Sequence, residues 1–203
     1  MKSFAIAGLA LASLFVTSLV TSLATAQDKK PGTEKVAPPT AGAVATPMAA
    51  PKPPAALDAA YKALDGSWRC ETTFRANAFG PGSLETKTKT SMKFQKDLNG
   101  FWYRGDYEAK KTKDFPGMKG TIYLGHDGKQ LLIGGVDAMG GLSAGTGSAA
   151  GDTLTFISEG YMMGTKMKMR DIIEKKGAKE VEHRFELDMG KGFQPMGEDV
   201  CKK

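Results

Sequence analysis

From Ser67 onward, apolar and polar side chains alternate in one segment after another, the period-2 pattern of strands that bury a single face. Trp68, Cys70, Thr72 and Phe74 fall on one side of the first segment, and Ser67, Arg69, Glu71 and Thr73 on the other. Thr86 to Gln95 repeats the pattern: Thr86, Thr88, Thr90, Met92 and Phe94 face one way, and Lys87, Lys89, Ser91, Lys93 and Gln95 the other. Asp97-Leu98-Asn99-Gly100 reads as a tight hairpin turn, because Asn-Gly tolerates positive φ, and leads into a strand from Phe101 to Ala109. Further strands are predicted over 118–125, 130–136, 152–159, 164–174, 180–188 and 193–201. Turn chemistry separates them, as in Phe115-Pro116-Gly117, His126-Asp127-Gly128-Lys129 and Lys175-Lys176-Gly177. Between Gly134 and Gly151 seven glycines fall in eighteen residues, which predicts a weak strand or a mobile loop at a barrel mouth. One short helix is expected, because Leu57, Ala60, Tyr61 and Leu64 recur at helical spacing with Asp58 in the first turn. About nine strands with almost no helix predict an all-β fold, an up-and-down antiparallel β-barrel with a short N-terminal helix.

The first quarter of the 203 residues has a different character. Lys2, the apolar run from Phe4 to Val20 and the small residues of Ala24-Thr25-Ala26 read as a signal peptide over 1–26, cleaved before Gln27. An uncleaved anchor is the competing reading of that run. Residues 27–56 are rich in Pro and Ala and lack aromatics, so they cannot bury enough area to offset ordering entropy; a disordered tether is expected, with a proline-rich docking segment as its alternative. The barrel domain then spans 57–203. The chain is expected to be exported, to the periplasm or beyond the cell, with no stable membrane insertion once the signal is removed.

Charge excludes one class of partner. Of the formal +6, Lys2 contributes +1 and the tether, with four lysines against Asp28 and Glu34, +2, leaving +3 on residues 57–203, where cationic strands alternate with acidic ones. A nucleic-acid binder would concentrate its cations on one face, so no nucleic-acid partner is expected. Cys70 and Cys201 lie near the two ends of the domain; in an oxidising compartment such a pair reads as a disulfide, the alternative being two buried thiols.

The Leu64-Asp65-Gly66-Ser67-Trp68 opening, the Asn99-Gly100-Phe101-Trp102 hairpin, Gly125-His126-Asp127-Gly128-Lys129 with Asp137, and the Arg170 strand carry a resemblance. In their order they are similar to the uncharacterised bacterial lipocalin-like family known as domain of unknown function 1579, and more loosely to calycin barrels, whose first strand also carries Gly-x-Trp. The resemblance covers residues 57–203. It implies a barrel with an interior cavity and transfers no catalytic residues.

The chemistry follows from the inward faces. Trp68, Phe94, Tyr103, Tyr107, Met167, Met169 and Phe185 either fill the barrel or line a cavity for one small apolar or amphiphilic ligand. Asp171, inward among them, would anchor a polar head group or satisfy a core hydrogen bond near Tyr103, Tyr107 or Arg104. His183, alone on an apolar face, has the same two readings; a third makes it a haem ligand, or a Cu(I) ligand together with Met162, Met163, Met167 and Met169. His126 is expected in an exposed turn. With two histidines and no Gly-x-Ser-x-Gly elbow, no nucleophile-base set can be assembled, so no catalytic residue, metal site or cofactor is assigned. The reading that results is a monomeric exported carrier, with a filled-barrel interaction module of the cell envelope as the alternative.

Overall fold

An extended segment with one apolar face becomes a stable strand when neighbours take up its backbone donors and acceptors and its apolar face is buried. The computed structural model describes residues 49–203 apart from Met163. The expected signal segment and the tether up to residue 48 lie outside the described residues. Helix α1 (Ala55–Tyr61) and a 3-10 turn (Lys62–Leu64) are followed by β1 (Gly66–Phe74), β2 (Thr86–Asp97), β3 (Trp102–Ala109), β4 (Met118–His126) and β5 (Leu131–Asp137). Next come β6 (Leu142–Ala150), β7 (Thr153–Met162), β8 (Thr165–Lys175), β9 (Glu180–Asp188) and β10 (Gln194–Lys202). Each strand pairs antiparallel with its neighbours in sequence, and β1 pairs with β10, so the described strands close into a barrel without an edge.

Two expectations are corrected. The barrel has ten strands rather than nine, and the additional one is β6, where glycines predicted a weak strand or a loop. Its ladders run from Leu142 opposite Tyr161 to Ala150 opposite Thr153, and from Leu131 opposite Gly147 to Val136 opposite Leu142. Hydrogen bonding on both sides holds a strand whose own side chains bury little. The hairpin between β2 and β3 is a four-residue loop, Leu98 to Phe101, with Asp97 opposite Trp102; φ is 47° at Leu98, 58° at Asn99 and 81° at Gly100.

The helix plugs one end of the barrel. Leu57, Tyr61 and Leu64 are buried, each contributing roughly 2 kcal/mol through removal of apolar surface from water. Tyr61 donates to the Gly125 carbonyl at 3.1 Å, and the Trp68 indole donates to the Leu64 carbonyl at 2.6 Å. Asp58 accepts from Tyr103 at 3.1 Å and from Lys96 at 2.7 Å, tying α1 to β3 and β2. Beneath the plug, Tyr103, Leu124, Leu131, Leu154, Ile173 and Val181 pack as one core cluster. At the opposite end a smaller cluster of Phe74, Ala109 and Phe115, joined by Phe185, covers the β1–β3 and β9–β10 side, with the Phe79 ring stacked 5.5 Å from Phe115.

Cys70 and Cys201 form the expected disulfide, directly opposite each other across the β1–β10 seam. The staple therefore sits where the two ends of the chain meet. Among the described residues no helix is long and apolar enough to cross a membrane.

Candidate functional site

Within the barrel the inward aromatics are laid against the wall. Phe94, Tyr107, Phe156 and Phe185 each face a glycine directly opposite on the next strand: Gly105, Gly120, Gly147 and Gly197. A β-carbon at Gly105 would lie 2.4 Å from the Phe94 ring, and one at Gly147 would lie 2.5 Å from that of Phe156. At Gly197 the Phe185 ring would be 2.5 Å away, and at Gly120 the Tyr107 hydroxyl 2.6 Å. The glycines thus let bulky rings fold flat across the cross-strand pair instead of projecting over the lumen.

The two halves of the interior differ as a result. In the plugged half, Tyr103, Leu124 and Leu154 are at most 1 % exposed. In the other half, Gly135, Ser143, Met169 and Leu187 face inward yet are only half-buried, whereas Ile122 and Ile133 pack against the plugged cluster. The polar centre of the barrel lies between these two regions. His183 Nε2 is 3.0 Å from Asp171 Oδ1, and His183 Nδ1 is 2.9 Å from Asp199 Oδ2. Asp199 Oδ1 accepts from the Thr72 hydroxyl at 2.5 Å, and Thr72 and Thr90 hydroxyls meet at 2.6 Å. The chain of contacts crosses five adjacent strands, β8, β9, β10, β1 and β2. Its members grade from Asp199, whose side chain is 6 % exposed, to His183 and Asp171, at 21 % and 20 %.

Two carboxylates on one imidazole fix its charge. Burial works against the charged ring, but hydrogen bonds and proximity to Asp171 and Asp199 outweigh it, and the His183 pKa is pushed up to about 10. His183 is therefore an imidazolium at neutral pH, donating from both nitrogens. Tyr107 faces the same space, and burial, with the Asp137 and Asp171 carboxylates adding to it, raises its phenol to about 12. The group carries a net negative charge, because one imidazolium answers two carboxylates. Asp171 uses one oxygen for His183, and the second has no protein donor among the described residues.

These contacts bear on the metal readings. Both ring nitrogens of His183 are held by carboxylates, so neither offers a lone pair to haem iron or copper. Met167 is buried and Met169 half-buried, while Met163 lies outside the described residues. Among the described residues no group of three or more His, Cys, Asp or Glu is arranged to hold a metal ion.

Of the residues singled out from sequence, Trp68, Phe94 and Tyr103 belong to the plugged half. Tyr107, Met167, Met169, Asp171, His183 and Phe185 belong to the other, with the Phe185 ring 5.4 Å from that of His183. Asp171 finds neither Tyr103, which bonds Asp58, nor Arg104, which lies outside and pairs with Asp106 at 2.9 Å. Its partner is His183. His126, expected in an exposed turn, is the half-buried last residue of β4, and its Nδ1 accepts from the Gly128 amide of the following turn at 2.8 Å. Asp199, Thr72 and Thr90 were not recognised as site residues. The signal was present in the alternation: with Cys201 and Cys70 inward, Asp199 and Thr72 two residues earlier and later must face inward too. Two concavities lie elsewhere, on the outer surface. One of about 530 Å³ runs over the outward residues of β1–β4, among them Arg69, Lys93, Glu108 and Lys119; the other, of about 480 Å³, lies over β10, β1 and β2. Their rims are charged and solvated, unlike the apolar-to-polar gradient inside.

A family model described as "Protein of unknown function (DUF1579)" matches residues 54–196. The chain belongs to that family. The DUF1579 match takes in α1 and every strand up to the start of β10, so the plugged barrel is the family's domain. No curated protein matches the chain in sequence. Among solved structures, the crystal structure of Rv2717c from M. tuberculosis is similar with a TM-score of 0.56 and 14 % sequence identity, covering 75 % of this chain and 99 % of that one. At that identity the likeness speaks to the barrel fold of this DUF1579 protein.

Proposed function

We propose that this DUF1579 protein is an exported carrier that holds one small amphiphilic molecule in the unplugged half of its barrel. The observation that carries the reading is the exposure of Asp171 and His183, about one-fifth each, although both face into the barrel; a filled interior would bury them. Around them Met169 and Leu187 offer apolar contact, while glycine and serine on β4–β7 leave room. Flexible thioethers suit tails of varied shape. Export is supported by the signal-like opening of the chain and by the Cys70–Cys201 staple, which needs an oxidising compartment. The tether would give the monomeric barrel reach within the envelope.

The alternative, a barrel that serves as an interaction module, draws on the packed plugged half and on the outward Val136, Leu142 and Tyr161, each more than half exposed and adjacent in register. Native mass spectrometry of protein purified from its own host decides between them. A co-purifying small molecule released on unfolding is the expected result. A clean apo mass, together with no uptake of fluorescent alkyl-chain probes, overturns the carrier reading.

A further inference from the structure

We infer that the head group taken by the lumen is cationic, so that the ligand is a single-tailed amphiphile ending in an ammonium rather than a carboxylate. This rests on the carrier reading and specifies its ligand. On the strands of the unplugged half, the inward ionisable positions are Asp171 and Asp199 against the single base His183, while Asp137 at the end of β5 spends one oxygen on the Met139 and Gly141 amides of the turn into β6. Inward lysines, Lys96 and Lys175, lie at the plugged end, where Lys96 is already paired with Asp58. The imidazolium is shared by two carboxylates, so it neutralises only one of them. Asp171 keeps one oxygen without a protein donor among the described residues and is the more exposed of the two, which makes it the contact point for an incoming N–H.

A carboxylate head would find the Tyr107 hydroxyl as a donor but would also meet two carboxylates that share a single imidazolium, so charge repulsion opposes it. The Tyr107 hydroxyl and the Phe185 ring complete a setting that favours a cation through oxygen lone pairs and a π face. The sign is opposite to that of the whole protein, whose formal charge is +6. Adventitious adsorption would therefore prefer the anion, and a preference for the cation is diagnostic of the lumen.

The test uses the full-length mature protein and three probes that share an undecyl chain with a terminal dansyl group and differ at the other end: ammonium, hydroxyl or carboxylate. Fluorescence titration gives three dissociation constants. The ammonium probe is expected to bind about tenfold tighter than the carboxylate, and to keep most of that ratio at about 0.5 M salt because partly buried charges are weakly screened. Asp171→Asn should bring the ratio to near one while leaving hydroxyl-probe binding intact. Equal or tighter carboxylate binding, or an unchanged ratio in a folded Asp171→Asn variant, overturns the inference and leaves the carrier reading standing. Failure of all three probes overturns both. Should Asp171→Asn not fold, the wild-type ratio decides alone.

Discussion

Replacing both Cys70 and Cys201 by alanine removes the covalent closure of the β1–β10 seam without touching the ladder from Arg69 opposite Lys202 to Phe74 opposite Gly197. The bridge spans a sequence separation of 131, so nearly every strand lies inside the loop it closes. On the chain-entropy model, a loop of that size restricts the unfolded ensemble by about 5 kcal/mol. Both sulfurs are also buried, at 3 % residue exposure, and their loss adds roughly 1 kcal/mol of packing at each site. Against the roughly 5–15 kcal/mol that stabilises an ordinary domain, this is a large share, and the midpoint of thermal unfolding should fall by about 15–30 °C. The assay is equilibrium urea unfolding followed by the fluorescence of Trp68 and Trp102, on the oxidised protein, the reduced protein and the double variant. Reduction should produce most of the loss, and the slope with urea should rise, because the unlinked unfolded chain exposes more surface. A double variant within about 1 kcal/mol of the oxidised protein would refute the claim that the staple stabilises the closed barrel through its loop.

Other substitutions probe the interior. Because the folded state raises the His183 pKa from 6.5 to about 10, it holds that proton more tightly than the unfolded chain. The resulting stability is full below about pH 6.5 and is lost as pH rises through about 10, a decline in urea midpoint that should vanish in His183→Gln. NMR of the His183 ring should likewise show no titration between about pH 5 and 8. Thr72→Val leaves Asp199 short of a buried donor and should cost about 1–3 kcal/mol in urea unfolding, whereas Thr73→Val on the outer face should change little. Gly147→Ala pushes the Phe156 ring off its seat in the plugged core and should destabilise by about 1–3 kcal/mol in urea unfolding.

Much of the architecture was written in the alternation itself. β1, β2, β8 and β9 each carry four or more inward residues of consistent character, so their faces could be assigned without coordinates. β6 was not legible for the opposite reason: Leu142–Ala150 has small side chains on both faces, and only its two ladder partners hold it. The site was half legible. Asp171 and His183 stood out as polar residues on apolar faces, but their pairing depends on which strands are neighbours and how far each is displaced along the barrel. Asp199 was legible as an inward position from Cys201 two residues on, but its role depends on His183 and Thr72, which only the pairing of β10 with β9 and β1 brings beside it. The seating of aromatics on glycines escaped detection because the partners lie on different strands, and register is a property of the folded sheet.

The most direct test of an open, ligand-holding lumen is an isotope-filtered NOE experiment on methyl-labelled protein bound to the dansyl-undecyl ammonium probe. Contacts from the alkyl chain to the methyl groups of Met169 and Leu187 are the result expected of a tail held within the unplugged half. Contacts confined to the outward Val136, Leu142 and Ile157, or none at all from a bound probe, would contradict it.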